Sequence, residues 1–240
     1  LTFSELRQEI RQEIENPSQV AGHQYRTLPV VNRILKGFRP GELTVLTGST
    51  GSGKTTLLNL IGGLDVPTTG NIFFEERGLS SMSREQMAEY RRENIGFIFQ
   101  TYNLLPVYSV YENVLFPLLL NGDKEKEVRD RVMEIVAKVG LTDQLKKRPA
   151  QLSGGQCQRV AIARALVKDP LVILADEPTA NLDTENSLQI LELMRQLNQQ
   201  YQAAVIFSTH DEKVTRYVRR EVKLEDGRVV SDKNNLNGTA

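Results

Sequence analysis

A short apolar run, Glu42 to Thr47 (ELTVLT), passes directly into Gly48-Ser49-Thr50-Gly51-Ser52-Gly53-Lys54-Thr55, and a helical pattern then runs from Lys54 to Ile61. Few folds accept that order. The run has the character of a short buried strand. Glycines in the following turn let the backbone curl until successive N–H groups face inward and cradle phosphate oxygens. A helix starting at the end of the curl adds its positive dipole end. The spacing is that of G-x-x-x-x-G-K-[ST], in which the lysine reaches the β- and γ-phosphates and the hydroxyl ligates Mg2+. Gly48, Ser49, Thr50, Gly51, Ser52, Gly53, Lys54, Thr55 and Thr56 are therefore candidate phosphate-binding residues. Lys54 is also a catalytic candidate and Thr55 a metal ligand, with ATP and Mg2+ as the expected cofactors.

The same alternation of strand and helix resumes later in the chain. Leu171 to Ala175 reads as a fully apolar strand, Thr184 to Tyr201 as a helix and Ala203 to Thr209 as a second apolar strand. Strands buried on both faces and separated by helices imply a parallel sheet covered by helices. Helical pattern dominates between them, from about Ser83 to Lys168. Ser83 and Gln86 can form a capping box, and Asp123 to Val139 is amphipathic and stops at Gly140. The expected fold is α/β, a P-loop NTPase with a mostly parallel sheet flanked by helices. An inserted helical subdomain spans approximately 83–168. A small antiparallel β part is also expected, and Glu225-Asp226-Gly227, between Glu221–Leu224 and Arg228–Ser231, is a hairpin signal. Phe3, Leu6, Ile10 and Ile14 share one face of an N-terminal helix, with Thr2 and Glu5 as its capping box and Asn16-Pro17 as its stop. The expected division is a helical extension over 1–20 packed on the body, an ATPase domain over 21–232 and a polar tail over 233–240.

Thirty basic residues balance thirty acidic ones, so no global field draws nucleic acid or anionic lipid, and no stable nucleic-acid binding is expected. A single cysteine, Cys157, excludes an intrachain disulfide and suits a reducing cytosol. No apolar run approaches the ~18–20 residues that span a bilayer. The longest, Val114 to Leu120, contains Pro117, and Leu1 to Arg11 lacks a signal-peptide layout. Any membrane role is expected to run through a partner.

A phosphate loop that hydrolyses its ligand needs a carboxylate near Mg2+ and a group that activates water. Leu171 to Ala175 runs straight into Asp176-Glu177. Strand alternation would point these carboxylates to different sides, leaving Asp176 for the metal shell and Glu177 to orient and deprotonate water.

Leu152-Ser153-Gly154-Gly155-Gln156 offers a second anion-binding helix start, with Ser153 as N-cap and glycines exposing backbone N–H groups. With this motif the chain resembles the ABC ATPase family, whose LSGGQ signature faces the phosphate loop of a second subunit across ATP. Other elements follow in the family's order. Gln100, which ends the strand-like Ile95 to Phe99 (IGFIF), is similar to the Q-loop residue between core and helical subdomain. Asn181-Leu182-Asp183 is similar to the D-loop, and Ser208-Thr209-His210 to the switch histidine. The resemblance implies catalytic roles for Glu177, His210, Gln100 and Lys54. It implies nucleotide contacts for Tyr25 (adenine stacking), Ser153, Gly154, Gly155, Gln156 and Asp183, and metal contacts for Thr55, Gln100 and Asp176. It further implies a homodimer or paired ATPase subunit, a transmembrane permease partner and a place on the cytoplasmic inner face of the cell membrane. IGFIFQTYNLLP (Ile95 to Pro106) and LADEPTANLD (Leu174 to Asp183) look particularly like the ATPases of lipoprotein-releasing and macrolide-exporter systems.

The N-terminal part departs from that family. Leu28 to Thr56 is similar to the matching stretch of RecA-like replicative helicases, including the mitochondrial Twinkle type. Thr55-Thr56 replaces a Ser-Thr pair, Ser49 a proline and Cys157 a glutamine. Two alternatives stay open at this point. One is a RecA-like motor on single-stranded DNA, whose ATPase activity DNA would stimulate. The other is an engineered P-loop chimera that binds ATP without a transport partner.

Overall fold

The computed structural model describes residues 40–74, 77–211, 214 and 218–234. The N-terminal helix, Tyr25, the first part of the helicase-like stretch (28–39) and the end of the polar tail lie outside these residues. In chain order the elements are β1 (Leu43–Thr47), α1 (Lys54–Ile61), β2 (Phe73–Phe74), β3 (Arg77–Gly78), α2 (Arg84–Asn94), β4 (Ile95–Ile98), α3 (Val110–Leu120) and α4 (Glu125–Lys138). There follow α5 (Gly154–Leu166), β5 (Val172–Asp176), α6 (Thr184–Tyr201), β6 (Ala204–Thr209), β7 (Arg220–Glu225) and β8 (Arg228–Asn234).

Six strands form one sheet in the order β4-β5-β6-β1-β7-β8. All neighbouring pairs are parallel except β7 and β8, which form an antiparallel hairpin. β2 and β3 make a separate two-stranded antiparallel ribbon. Strand alternation divides the core cleanly. Val45, Ile173, Val205 and Phe207 face a cluster with side chains of α3, α4, α5 and α6, including Leu118, Ile135, Ile162 and Ile190. Leu46, Val172, Leu174 and Ile206 face the other cluster, with Leu58 and Ile61 of α1 and Tyr90 of α2. Because β4, β5, β6 and β1 are parallel, their C-terminal ends share one edge, where open α/β sheets bind ligands.

Helices α1 and α6 have the bounds their periodicity predicts, and Ser83 and Gln86 form the expected capping box on α2. The span expected to be mainly helical contains a strand of the main sheet, β4, preceded by α2. Uninterrupted helical structure therefore begins beyond Gln100. Pro117 lies inside α3 rather than ending it. It falls in the final turn, where its missing N–H leaves only a local gap in the ladder. At the opposite end of β1 from the phosphate loop, buried Arg220 forms ion pairs with Glu42 at 3.3 Å and Asp232 at 2.9 Å, tying β1, β7 and β8 together.

β4 approaches the helix behind it backbone to backbone. A Cβ added at Gly96 would lie 2.8 Å from the carbonyl oxygen of Ala165 in α5, below any ordinary contact. Gly96→Ala must push β4 away from α5. The expected cost is about 1–3 kcal/mol, read as a lowered midpoint in urea unfolding. An unchanged midpoint would contradict this packing.

Candidate functional site

The phosphate loop closes through backbone that side chains resist. Gly48, Gly51 and Gly53 have φ of 146°, 82° and 95°. A Cβ at Gly48 would lie 2.2 Å from the Leu224 carbonyl and 2.7 Å from Ser52 Oγ. Gly53 caps α1 with no side-chain hydrogen bond, so the first-turn N–H groups carry no side-chain cap and suit an anion. Lys54 is buried, and its Nζ donates to the carbonyls of Gly48 at 2.8 Å and Ser49 at 2.9 Å. Its charge is thus held at the mouth of the loop by acceptors that a phosphate can replace. Ser52 Oγ is buried without a hydrogen-bond partner among the described residues. The hairpin supports the loop from below: Gly227 N–H donates to the Ser52 carbonyl at 3.1 Å. That turn has Asp226 and Gly227 at φ 48° and 73°, the two positive values a two-residue hairpin requires.

Beside the loop stands the acidic pair. Thr55 Oγ1 donates to Asp176, 3.0 Å from each carboxylate oxygen. Ser208 Oγ donates to Asp176 Oδ1 at 2.6 Å and accepts from the Glu177 N–H at 3.0 Å. Register explains this bridge, because Asp176 of β5 lies opposite Ser208 of β6. Glu177 departs from the expected geometry. Its carboxylate does not diverge from that of Asp176 by strand alternation. The backbone leaves the strand at Glu177 with φ 48°, a left-handed conformation costly for a non-glycine residue. The turn carries the carboxylate to His210, whose Nδ1 lies 2.9 Å from Glu177 Oε2. Glu177 is 17% exposed and His210 58% exposed, so the pair sits at the rim with one side open.

A second group of candidates assembles around α5. Ser153 is exposed and caps the helix; its Oγ accepts from the Gln156 N–H at 3.3 Å. The Gln156 side chain returns a bond to the Ser153 N–H at 3.0 Å, completing a capping box, so in this structure Gln156 organises the helix start. Gly154 lies against Tyr102, Leu182 and Asn181, and a Cβ there would be 3.0 Å from Tyr102 Oη. Gly155 lies against Asn186. Asn181 Nδ2 donates to the Gln100 carbonyl at 2.8 Å, which joins the D-loop to the Q-loop. Asp183 caps α6, accepting from Asn186 N at 2.9 Å and Asn186 Nδ2 at 2.6 Å; these bonds hold its carboxyl below the usual range. Cys157 is buried beside the Pro149 carbonyl, and burial pushes its thiol pKa up.

The structure thus brings Lys54, Thr55, Asp176, Glu177 and His210 together at the C-terminal edge of the sheet. It joins Gln100, Ser153–Gln156 and the D-loop in an adjoining group. Two contributors escape sequence reasoning. Ser208 appears there only as a neighbour of His210, and its bridge depends on strand register. Asn181 appears there only within the D-loop likeness, and its bond to the Gln100 backbone carbonyl leaves no motif.

Residues 31–180 match the family model described as ABC transporter. That match begins inside the Leu28–Thr56 stretch, and neither the helicase likeness nor a recombined chain gains support. Among solved structures, the dimeric structure of MJ0796, a bacterial ABC transporter cassette, is 38% identical with a TM-score of 0.76, covering 82% of this chain and 87% of that one. MJ0796 in a dimeric post-hydrolysis state bound to ADP and Pi is similar to the same degree, 38% identical with a TM-score of 0.75, at 82% and 87% coverage. The cbiO1 protein from Clostridium perfringens, part of the ABC transporter complex cbiONQ, is 33% identical with a TM-score of 0.76, at 82% and 79% coverage.

Gly48→Ala places a methyl group where the Leu224 carbonyl stands. The variant is expected to lose at least about tenfold in affinity for a fluorescent ATP analogue, as ~1.4 kcal/mol or more of loop distortion requires. Wild-type affinity would contradict the loop geometry. The match over most of the described residues, the shared cassette fold and the paired loop and acidic site lead to one conclusion: the chain belongs to the ABC transporter family, as an ATP-hydrolysing nucleotide-binding subunit.

Proposed function

We propose that two copies, or one copy and a paired ATPase subunit, close head to tail on two ATP molecules, and that closure drives a transmembrane permease. Glu177 is the general base and His210 its positioning partner toward the γ-phosphate. Lys54 neutralises the phosphates, and Ser153 with Gly154 and Gly155 of the second copy completes the anion site. The observation that carries this reading is the Glu177–His210 pair, 2.9 Å apart and turned out of the strand line beside Asp176. A carboxylate held this way has one face toward an attacking water and the other fixed by imidazole.

Thr55 and Asp176 fit Mg2+, since a hydroxyl and a carboxylate already converge at 3.0 Å as hard oxygen ligands, and the exposed Gln100 joins them as a candidate. Bound Mg2+ supplies charge neutralisation to the triphosphate. Phosphate oxygens of the nucleotide and water would complete the shell.

A groove of about 630 Å3 supports a permease seat. It lies between α2, β4 and α3; its lining includes the apolar Leu64, Phe97, Pro117 and Leu120 and charges of both signs, Glu85 and Glu89 with Arg91, Arg92 and Lys168. No helix among the described residues is long and apolar enough to cross a membrane. The dimeric state of MJ0796 and the membership of cbiO1 in a transporter complex support the same assembly. The likeness of Ile95–Pro106 and Leu174–Asp183 to lipoprotein-releasing and macrolide-exporter ATPases supports a permease of that class, on the inner face of the membrane.

Glu177→Gln is expected to bind ATP as the wild type does, to lose about 100-fold or more in kcat, and to elute as an ATP-dependent dimer in size-exclusion chromatography. Normal hydrolysis would remove Glu177 from the role of base.

A further inference from the structure

The loop after β4 adopts a backbone that its own residues do not favour. Tyr102 and Asn103 are consecutive and neither is glycine, yet both are left-handed, with φ of 63° and 47°. Two left-handed residues in succession are at home in a tight hairpin that includes glycine; outside a hairpin and without glycine they need an outside hold. Arg164 of α5 supplies it. Its Nη2 donates to the Tyr102 carbonyl at 2.8 Å and its Nη1 to the Asn103 carbonyl at 2.6 Å. Consecutive carbonyls in a helical conformation of either hand point the same way, so one planar guanidinium can take both. In extended backbone they would alternate and the fork could reach only one.

The Tyr102 side chain reaches back along the same helix, with Oη against Gly154 at the start of α5. Gly154 and Arg164 are ten residues apart, about 15 Å along α5. The loop is therefore pinned at both ends of the helix that carries the signature, and Asn181 ties the Gln100 carbonyl from the other side. We propose that Arg164 is a positioning residue: it clamps the Tyr102–Asn103 backbone so that Gln100 and Ser153 move as one body when the site closes. This rests on the reading that Gln100 and Ser153 serve the nucleotide site.

The test uses the full chain and hydrogen exchange at 101–104 and 153–156, with α6 as internal reference, together with kcat and KM for ATP. Arg164→Met is expected to raise exchange about tenfold in both segments, leave α6 unchanged, and lower kcat about tenfold with KM within about twofold. Arg164→Lys keeps the charge but replaces the planar fork with a single shorter ammonium, and is expected to restore only part of both. Tyr102→Ala removes the strut and keeps the clamp, so exchange should rise at 153–156 alone, with a similar loss of kcat. Faster exchange in Arg164→Met confined to 101–104, an equal rise in α6, or an unchanged kcat would each overturn the proposal. Full hydrolysis by Glu177→Gln would instead strike the catalytic assignment and leave the exchange coupling standing.

Discussion

The site depends on one carboxylate shared among three elements. Asp176 ends β5, receives the Thr55 hydroxyl from the first turn of α1 and receives the Ser208 hydroxyl from β6. Those bonds fix the phosphate loop relative to the strand that carries Glu177. Ser208 passes the constraint on, because the same oxygen accepts the Glu177 N–H. Lost registration between β5 and β6 would therefore displace Glu177 and the Thr55–Asp176 pair together. Hydrogen bonds to an ionised acceptor are stronger than neutral ones, which makes a carboxylate an effective hub.

Backbone conformation does as much as side-chain identity. Glu177, Tyr102 and Asn103 are all left-handed without being glycine. Each such residue costs on the order of 1–3 kcal/mol and persists only where its surroundings over-determine it. At Glu177 the Ser208 and His210 contacts do so, and at Tyr102 and Asn103 the Arg164 fork does. The glycine-rich loop works the other way: Gly48 is required because a carbonyl occupies the space a side chain would need.

Features set by local sequence were legible, and those set by register or by contacts across the fold were not. The apolar runs of β1, β5 and β6 and the caps at Ser83 and Ser153 declare themselves within a few residues, as does the Asp226-Gly227 turn. The strand β4 was readable from IGFI, but its place at the edge of the main sheet, outside β5, was not. Strand order depends on which surfaces cover which, and one sequence carries no pairing information. The divergence of Asp176 and Glu177 was foreseen for the wrong reason, since alternation along a strand cannot anticipate a left-handed residue at its end.

The central claim is that each nucleotide site draws its phosphate loop from one copy and its serine-capped helix from another. Such a site is absent from a lone subunit, so turnover must follow the population of dimer. The direct measurement is the initial rate of ATP hydrolysis across a dilution series of the full chain at saturating ATP. The account predicts a rate that falls with the square of protein concentration once the protein is dilute. A rate strictly proportional to concentration down to the lowest dilution, with the chain shown to be monomeric there, would contradict it.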